Sequence, residues 1–191
     1  MCEAQMLEHI VAHSLQVCRV AMGLVDQLEL RGIHLDNRLV QAAALLHDIT
    51  KTRSFETDEN HAQTGGQLLT DLGYVEVGNL VRQHVRLDDY SEDQSLSEAV
   101  VINYADKRVL HDRIVSLDER MNYITERYGK NPELQQRIQM LRGKTKGLEK
   151  NIFSYLLFAP NDLGRHLQSP DILSEISSYR KVCSKFAPGS G

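Results

Sequence analysis

Apolar residues return at every third or fourth position along most of the chain, and no stretch alternates long enough to make a convincing strand. A helical period cannot keep one face of a sheet buried, so the pattern confines the fold to packed helices, an all-α bundle. From about 4 to 31 the period is carried by Ile10, Leu15, Val17, Val20, Ala21, Leu24, Val25 and Leu28, with His13 near the same face. Gly32 suits a left-handed helix end, and Asp36 or Asn37 can cap a second helix over about 37–49. A polar loop over about 52–60 leads to a helix of about 60–72, closed by Gly73. Val75, Val77, Leu80, Val81 and Val85 mark another helix, which carries His84. After a polar loop over about 86–97, the run from Leu96 to Ile102 opens a buried helix that contains Asp106.

Helical spacing resumes over about 114–128, and Asn131-Pro132 signals the start of a helix over about 132–158, expected to bend near Gly143 or Gly147. Pro160 and Pro170 bracket a less regular segment. The organisation expected is a helical domain over 1–130, a C-terminal helical extension packed on it over 131–186, and a disordered tail over 187–191. The long helix could close the bundle or form a homodimer contact.

A net charge of −4 argues against a nucleic-acid binder, which would show a basic face. No run approaches the ~18–20 apolar residues that span a bilayer, and the start of the chain lacks the features of a secretory signal. Cys2, Cys18 and Cys183 are far apart and form no CxxC pair, which fits reduced thiols in a cytoplasmic protein.

The chemistry concentrates around Ala42-Ala43-Ala44-Leu45-Leu46-His47-Asp48-Ile49-Thr50-Lys51. An apolar helix that ends on a histidine and an aspartate needs a partner for the buried carboxylate, and a divalent cation is the simplest one. His13, His61, His84 and Asp106 lie on other helices and also read as buried polar residues. Helical bundles build metal sites from such inward-facing side chains. Each residue alone has an ordinary explanation, as a hydrogen-bonded core histidine or a paired aspartate. One shared cation accounts for all of them together. A second pair, His111-Asp112, sits among charged residues and reads as solvated helix surface.

The order His13, His47-Asp48 and Asp106 resembles the HD-domain metal-dependent phosphohydrolases, over about residues 8–115. His61 in "NHAQTGG" and His84 in "VRQHV" resemble the branch that binds two metals. The HDxxK spacing ending at Lys51 is similar to bacterial symmetrical diadenosine tetraphosphate hydrolases. The resemblance implies that His13, His47, Asp48 and Asp106 hold one metal and His61 and His84 a second, with Asp48 bridging. Two divalent ions, iron or manganese, or a single one, are then the cofactors. Asp48 and Lys51 would serve the catalytic step. Lys51, Arg53 and Arg108, with Lys107 beside them, are the candidates to contact a small phosphorylated substrate, a nucleotide above all. A mononuclear nucleoside 5′-monophosphatase, a nucleotide-sensing module without turnover and a di-iron oxygenase are the alternatives on the same fold.

Overall fold

In the computed structural model, which describes residues 1–88, 95–167 and 172–185, nearly all regular structure is helical. The spine is α1 (Glu8–Glu29), whose Val17, Val20, Ala21, Leu24 and Leu28 are fully buried. Gly32 takes the left-handed conformation expected of it, at φ +78°. The Asp36 carboxylate then accepts the Arg38 and Leu39 N–H groups and starts α2 (Asn37–Leu46). This helix stops at Leu46, earlier than the expected 49, so His47 and Asp48 lie where the backbone turns.

The expected loop after Asp48 contains a helix, α3 (Lys51–Thr57). It buries no residue, and without an apolar stripe there is no period to read. Asn60 caps α4 (His61–Asp71), which packs tightly on α5 (Val75–Gln83). The two helices meet backbone to backbone: a Cβ on Gly66 would lie 2.7 Å from the Gly78 carbonyl oxygen. Only glycine permits that approach, and it brings the start of α4 toward the end of α5.

Ser97 caps α6 (Glu98–Asp106), every residue of which after the first is buried. The chain then makes a short antiparallel hairpin of β1 (Val109–Leu110) and β2 (Arg113–Ile114). This corrects the expectation of continuous helix here. His111-Asp112 is the hairpin turn rather than helix surface, with His111 at φ +56°. Two-residue strands are too short to leave an alternating pattern.

Ser116 caps α7 (Leu117–Tyr128). Asn131 caps α8 (Pro132–Phe153), with Pro132 in its first turn as expected. The helix runs unbroken through Gly143 and Gly147 and ends at Phe153 rather than 158. An interior glycine costs a helix only about 1 kcal/mol, and burial of Ile138, Leu148 and Ile152 outweighs it. A 3₁₀ turn (Pro160–Asp162) leads into α9 (Leu163–His166), and α10 (Ile172–Cys183) returns to α1. There Glu175 pairs with Arg19 at 2.6 Å and Arg180 pairs with Glu8. Pro170, the middle of the 86–97 loop and the tail over 187–191 lie outside the described residues.

The return of α10 also corrects the reading of the cysteines. Cys2 and Cys183 form a disulfide, their Cα atoms 5.3 Å apart after 181 residues of separation. Distance along the chain carried no information about distance in space. Cys18 stays a thiol, and burial pushes its pKa up to about 11. Among the described residues, no helix is long and apolar enough to cross a membrane.

Candidate metal centre

Four elements deliver the polar side chains to one place: α1 brings His13, the end of α2 brings His47 and Asp48, the first turn of α4 brings His61, and the end of α5 brings His84. Asp106, the last residue of α6, completes the group. Two overlapping sets have ligand atoms within 4.8 Å of one another: His13, His47 and Asp48, and Asp48, His61 and His84. Asp48 belongs to both sets.

The backbone sets the tautomers. His47 Nδ1 lies 2.7 Å from the Ala44 carbonyl, His84 Nδ1 2.7 Å from that of Val81, and His13 Nδ1 2.9 Å from that of His111. A carbonyl only accepts, so in each ring Nδ1 carries the proton and a neutral ring turns the Nε2 lone pair inward. That is the orientation in which histidines bind metals. The His111 carbonyl was missed by sequence reasoning, because its role depends on the hairpin turn and not on its side chain.

The inward nitrogens converge on one another and on the two carboxylates. His61 Nε2 lies 3.1 Å from Asp48 Oδ1 and 3.2 Å from His84 Nε2. His13 Nε2 lies 3.1 Å from Asp106 Oδ1. Among the described residues His47 Nε2 is buried without a hydrogen-bond partner, with Asp48 Oδ2 at 3.6 Å and Asp106 Oδ1 at 4.0 Å. Orphaned buried polar atoms are costly, and this donor set fits a divalent cation. The residues present therefore suit the metal that the sequence pattern implied.

Burial holds the His47 pKa down to about 4, against the pull of Asp48. For His13, burial acts in the same sense, but the bond and charge of Asp106 outweigh it and the pKa rises. Burial opposes ionisation of Asp106, yet the Lys107 charge, the His13 bond and Arg120 hold its pKa well below the usual carboxylate range. Asp48 is also held low, the surrounding imidazoles prevailing over burial. Both carboxylates are thus ionised at neutral pH.

The cations divide. Lys51 Nζ lies 3.3 Å from His61 Nε2, at the edge of the cluster. Lys107 Nζ is buried and donates to the His84 carbonyl at 2.7 Å and to Asp106 Oδ2 at 3.0 Å. It ties α6 to the end of α5 and lines the cavity with two of its three N–H groups engaged by the protein. Arg108, expected to contact substrate, is 2% exposed and turned into the core. Its guanidinium donates to the carbonyls of Val115 and Pro160, the Tyr104 hydroxyl and Glu149, so it is saturated by the protein. Arg53 pairs with Glu59 at 2.7 Å on the surface. Arg120 of α7, unmarked in the sequence because charged helix residues are usually solvated, reaches to 3.6 Å from Asp106 Oδ1.

Residues 10–109 match the family model of the HD domain, a span that includes His13, His47, Asp48, His61, His84 and Asp106. An uncharacterized protein of Methanocaldococcus jannaschii is 24% identical over 156 residues, 75% of this chain and 91% of that protein. A tRNA (cytidine(56)-2'-O)-methyltransferase of Picrophilus torridus is 32% identical over 126 residues, 59% of this chain. The chain spans only 35% of that methyltransferase. No solved structure matches the chain.

Proposed function

The chain belongs to the HD domain family, and from that premise we propose that it is a phosphohydrolase acting on a nucleotide or dinucleotide polyphosphate with the help of bound divalent metal. The observation that carries this reading is the buried, unpartnered His47 Nε2 facing two ionised carboxylates. A lone pair and two negative charges sharing one buried space are stabilised by a cation. His13, His47, Asp48 and Asp106 would hold one ion and Asp48, His61 and His84 a second. The mixed imidazole and carboxylate donors suit iron or manganese. When bound, such ions acidify water and neutralise charge developing on a phosphoryl group.

The chain's own residues do the rest. Fixed by their Nδ1 bonds, His13, His47 and His84 keep Nε2 aimed inward without reorganisation. Asp48, shared by both halves of the site, holds them in register. Lys51, at the cavity edge, donates to a phosphoryl oxygen of the substrate as a point charge. A one-metal nucleoside 5′-monophosphatase is the second reading. It is favoured by Lys51 Nζ lying 3.3 and 3.4 Å from the two His61 ring nitrogens, where the ammonium charge opposes a second cation.

The test is elemental analysis of protein purified without chelator, alongside phosphate release from a nucleotide panel. Two metals per chain, falling to about one in His84→Ala, support the dinuclear hydrolase. One metal in both proteins supports the monophosphatase. No metal after reconstitution, or no product from any nucleotide, overturns the proposal.

A further inference from the structure

The histidine cluster lines only part of a cavity of about 290 Å³. The lining also includes Tyr123, Ile124 and Tyr128 of α7, Leu141 of α8 and Phe55 of α3. The chain has 4 Phe, 7 Tyr and no Trp, so three aromatic rings around one opening is a concentrated use of a scarce resource. Phe55 and Tyr128 are 58% and 52% exposed, so core packing does not account for them.

Arg120 stands between the ionic part of the lining and the aromatic part. Its Nε is shielded from water and has no hydrogen-bond partner among the described residues, and its guanidinium carbon lies 5.8 Å from the Tyr123 ring centre. That distance is within the range of cation–π attraction, which holds guanidinium and ring together. The His111 ring meets Tyr123 edge-on at 5.6 Å and braces it from the hairpin. Arg120 lines the cavity with Nη2 3.6 Å from Asp106 Oδ1, and its planar fork matches phosphate oxygens. Lys51 lies across the carboxylates, beside His61. The cavity is at the lower end of small-ligand pockets, room for one ring system beside a phosphoryl group.

We propose that α7 is the substrate-recognition helix of this site: Arg120 binds phosphoryl oxygens on the side opposite Lys51, and Tyr123 stacks the base of a nucleotide. The inference rests on the phosphohydrolase reading for the nature of the anion. Tyr123 adds that the group carrying the phosphate is planar and aromatic. Stacking is tolerant of base identity, so Tyr123 selects nucleotides over sugar phosphates and not one base over another.

The experiment is calorimetric titration of the manganese-loaded protein with two ligands that cannot be hydrolysed, the 5′-methylenephosphonates of adenosine and of ribose. The wild type is expected to bind the adenosine compound about tenfold more tightly, the worth of one stacked base. Tyr123→Phe keeps that preference, and Tyr123→Ala reduces it to less than about twofold while ribose phosphonate affinity holds. Because Arg120 also faces Asp106, manganese content is measured alongside; with that content unchanged, Arg120→Met weakens both ligands together by about tenfold or more, as loss of a charged phosphate contact requires. Thermal melts identify a variant that has failed to fold, and Tyr123→Leu then replaces Tyr123→Ala. An intact preference without the aromatic ring, unchanged affinity in Arg120→Met, or no binding of either phosphonate overturns the proposal. Failure of the phosphohydrolase reading looks different: nucleotides bind with the base preference, yet no phosphate is released.

Discussion

Replacing Lys107 by methionine keeps the stem and removes the charge from a position only 3% exposed. Two bonds disappear, to the His84 carbonyl at 2.7 Å and to Asp106 Oδ2 at 3.0 Å. Charged hydrogen bonds are worth ~1.5–3 kcal/mol each, and breaking a buried ion pair by deleting one partner costs ~3–5 kcal/mol. Arg120, 3.6 Å from the same aspartate, still compensates part of its charge, which places the expected loss near the lower figure, about 3 kcal/mol. For a chain of this size each kcal/mol is worth ~2–4 °C, so Tm falls by ~6–12 °C. The assay is calorimetry and urea unfolding of both proteins in chelator at neutral pH. The pH dependence supplies a second readout. A carboxylate whose folded pKa is depressed contributes stability above its unfolded value of ~3.9, and that stability is lost as pH falls through the folded value. Burial alone would raise the Asp106 pKa, and Lys107 is the largest influence that reverses it. Lys107→Met therefore shrinks the contribution, and the difference between the two proteins narrows below about pH 4. A variant within about 1 kcal/mol of wild type at neutral pH would refute the view that Lys107 ties α6 to α5.

His47, held down to about 4 by burial, refuses a proton that the unfolded chain accepts near 6.5, so stability falls as pH drops from 6.5 towards 4. The loss reaches about 3 kcal/mol in metal-free protein, and urea midpoints across that window should show a shallower decline in His47→Gln. Gly66→Ala forces a methyl to within 2.7 Å of the Gly78 carbonyl, separating α4 from α5. A loss of ~1–3 kcal/mol is expected, together with weaker metal binding as His61 moves from His84, both measurable by melting and metal titration. Cys183→Ser removes the link between Cys2 and α10 and is expected to cost ~2–4 kcal/mol in urea unfolding, with no change in metal content.

Much of the site was legible because its residues are chemically conspicuous. A His-Asp pair closing the apolar run 42–46 has few partners that satisfy it, His13 and His84 each interrupt an apolar pattern, and His61 opens a helix after a polar loop. The structure brings these side chains together with Asp106. Arg108 misled because a lysine or arginine near a presumed phosphate site reads the same whether it faces the cavity or the core. Its four protein partners come from segments as far away as Pro160. Arg120 went unmarked for the opposite reason, since α7 is rich in charge and its sequence does not say which charge turns inward.

The helical class, the caps at Asp36, Asn60 and Asn131, and the left-handed Gly32 were determined by local sequence alone. Each depends on hydrogen bonds or dihedral preferences within a few residues, which a linear pattern records. The tertiary structure decided the tautomers of His13 through a carbonyl 98 residues away, the pairing of Cys2 with Cys183, and the Gly66–Gly78 contact that sets the spacing of His61 and His84. Those depend on which helix lies against which, a matter of shape complementarity among many buried side chains at once. No residue carries that information alone.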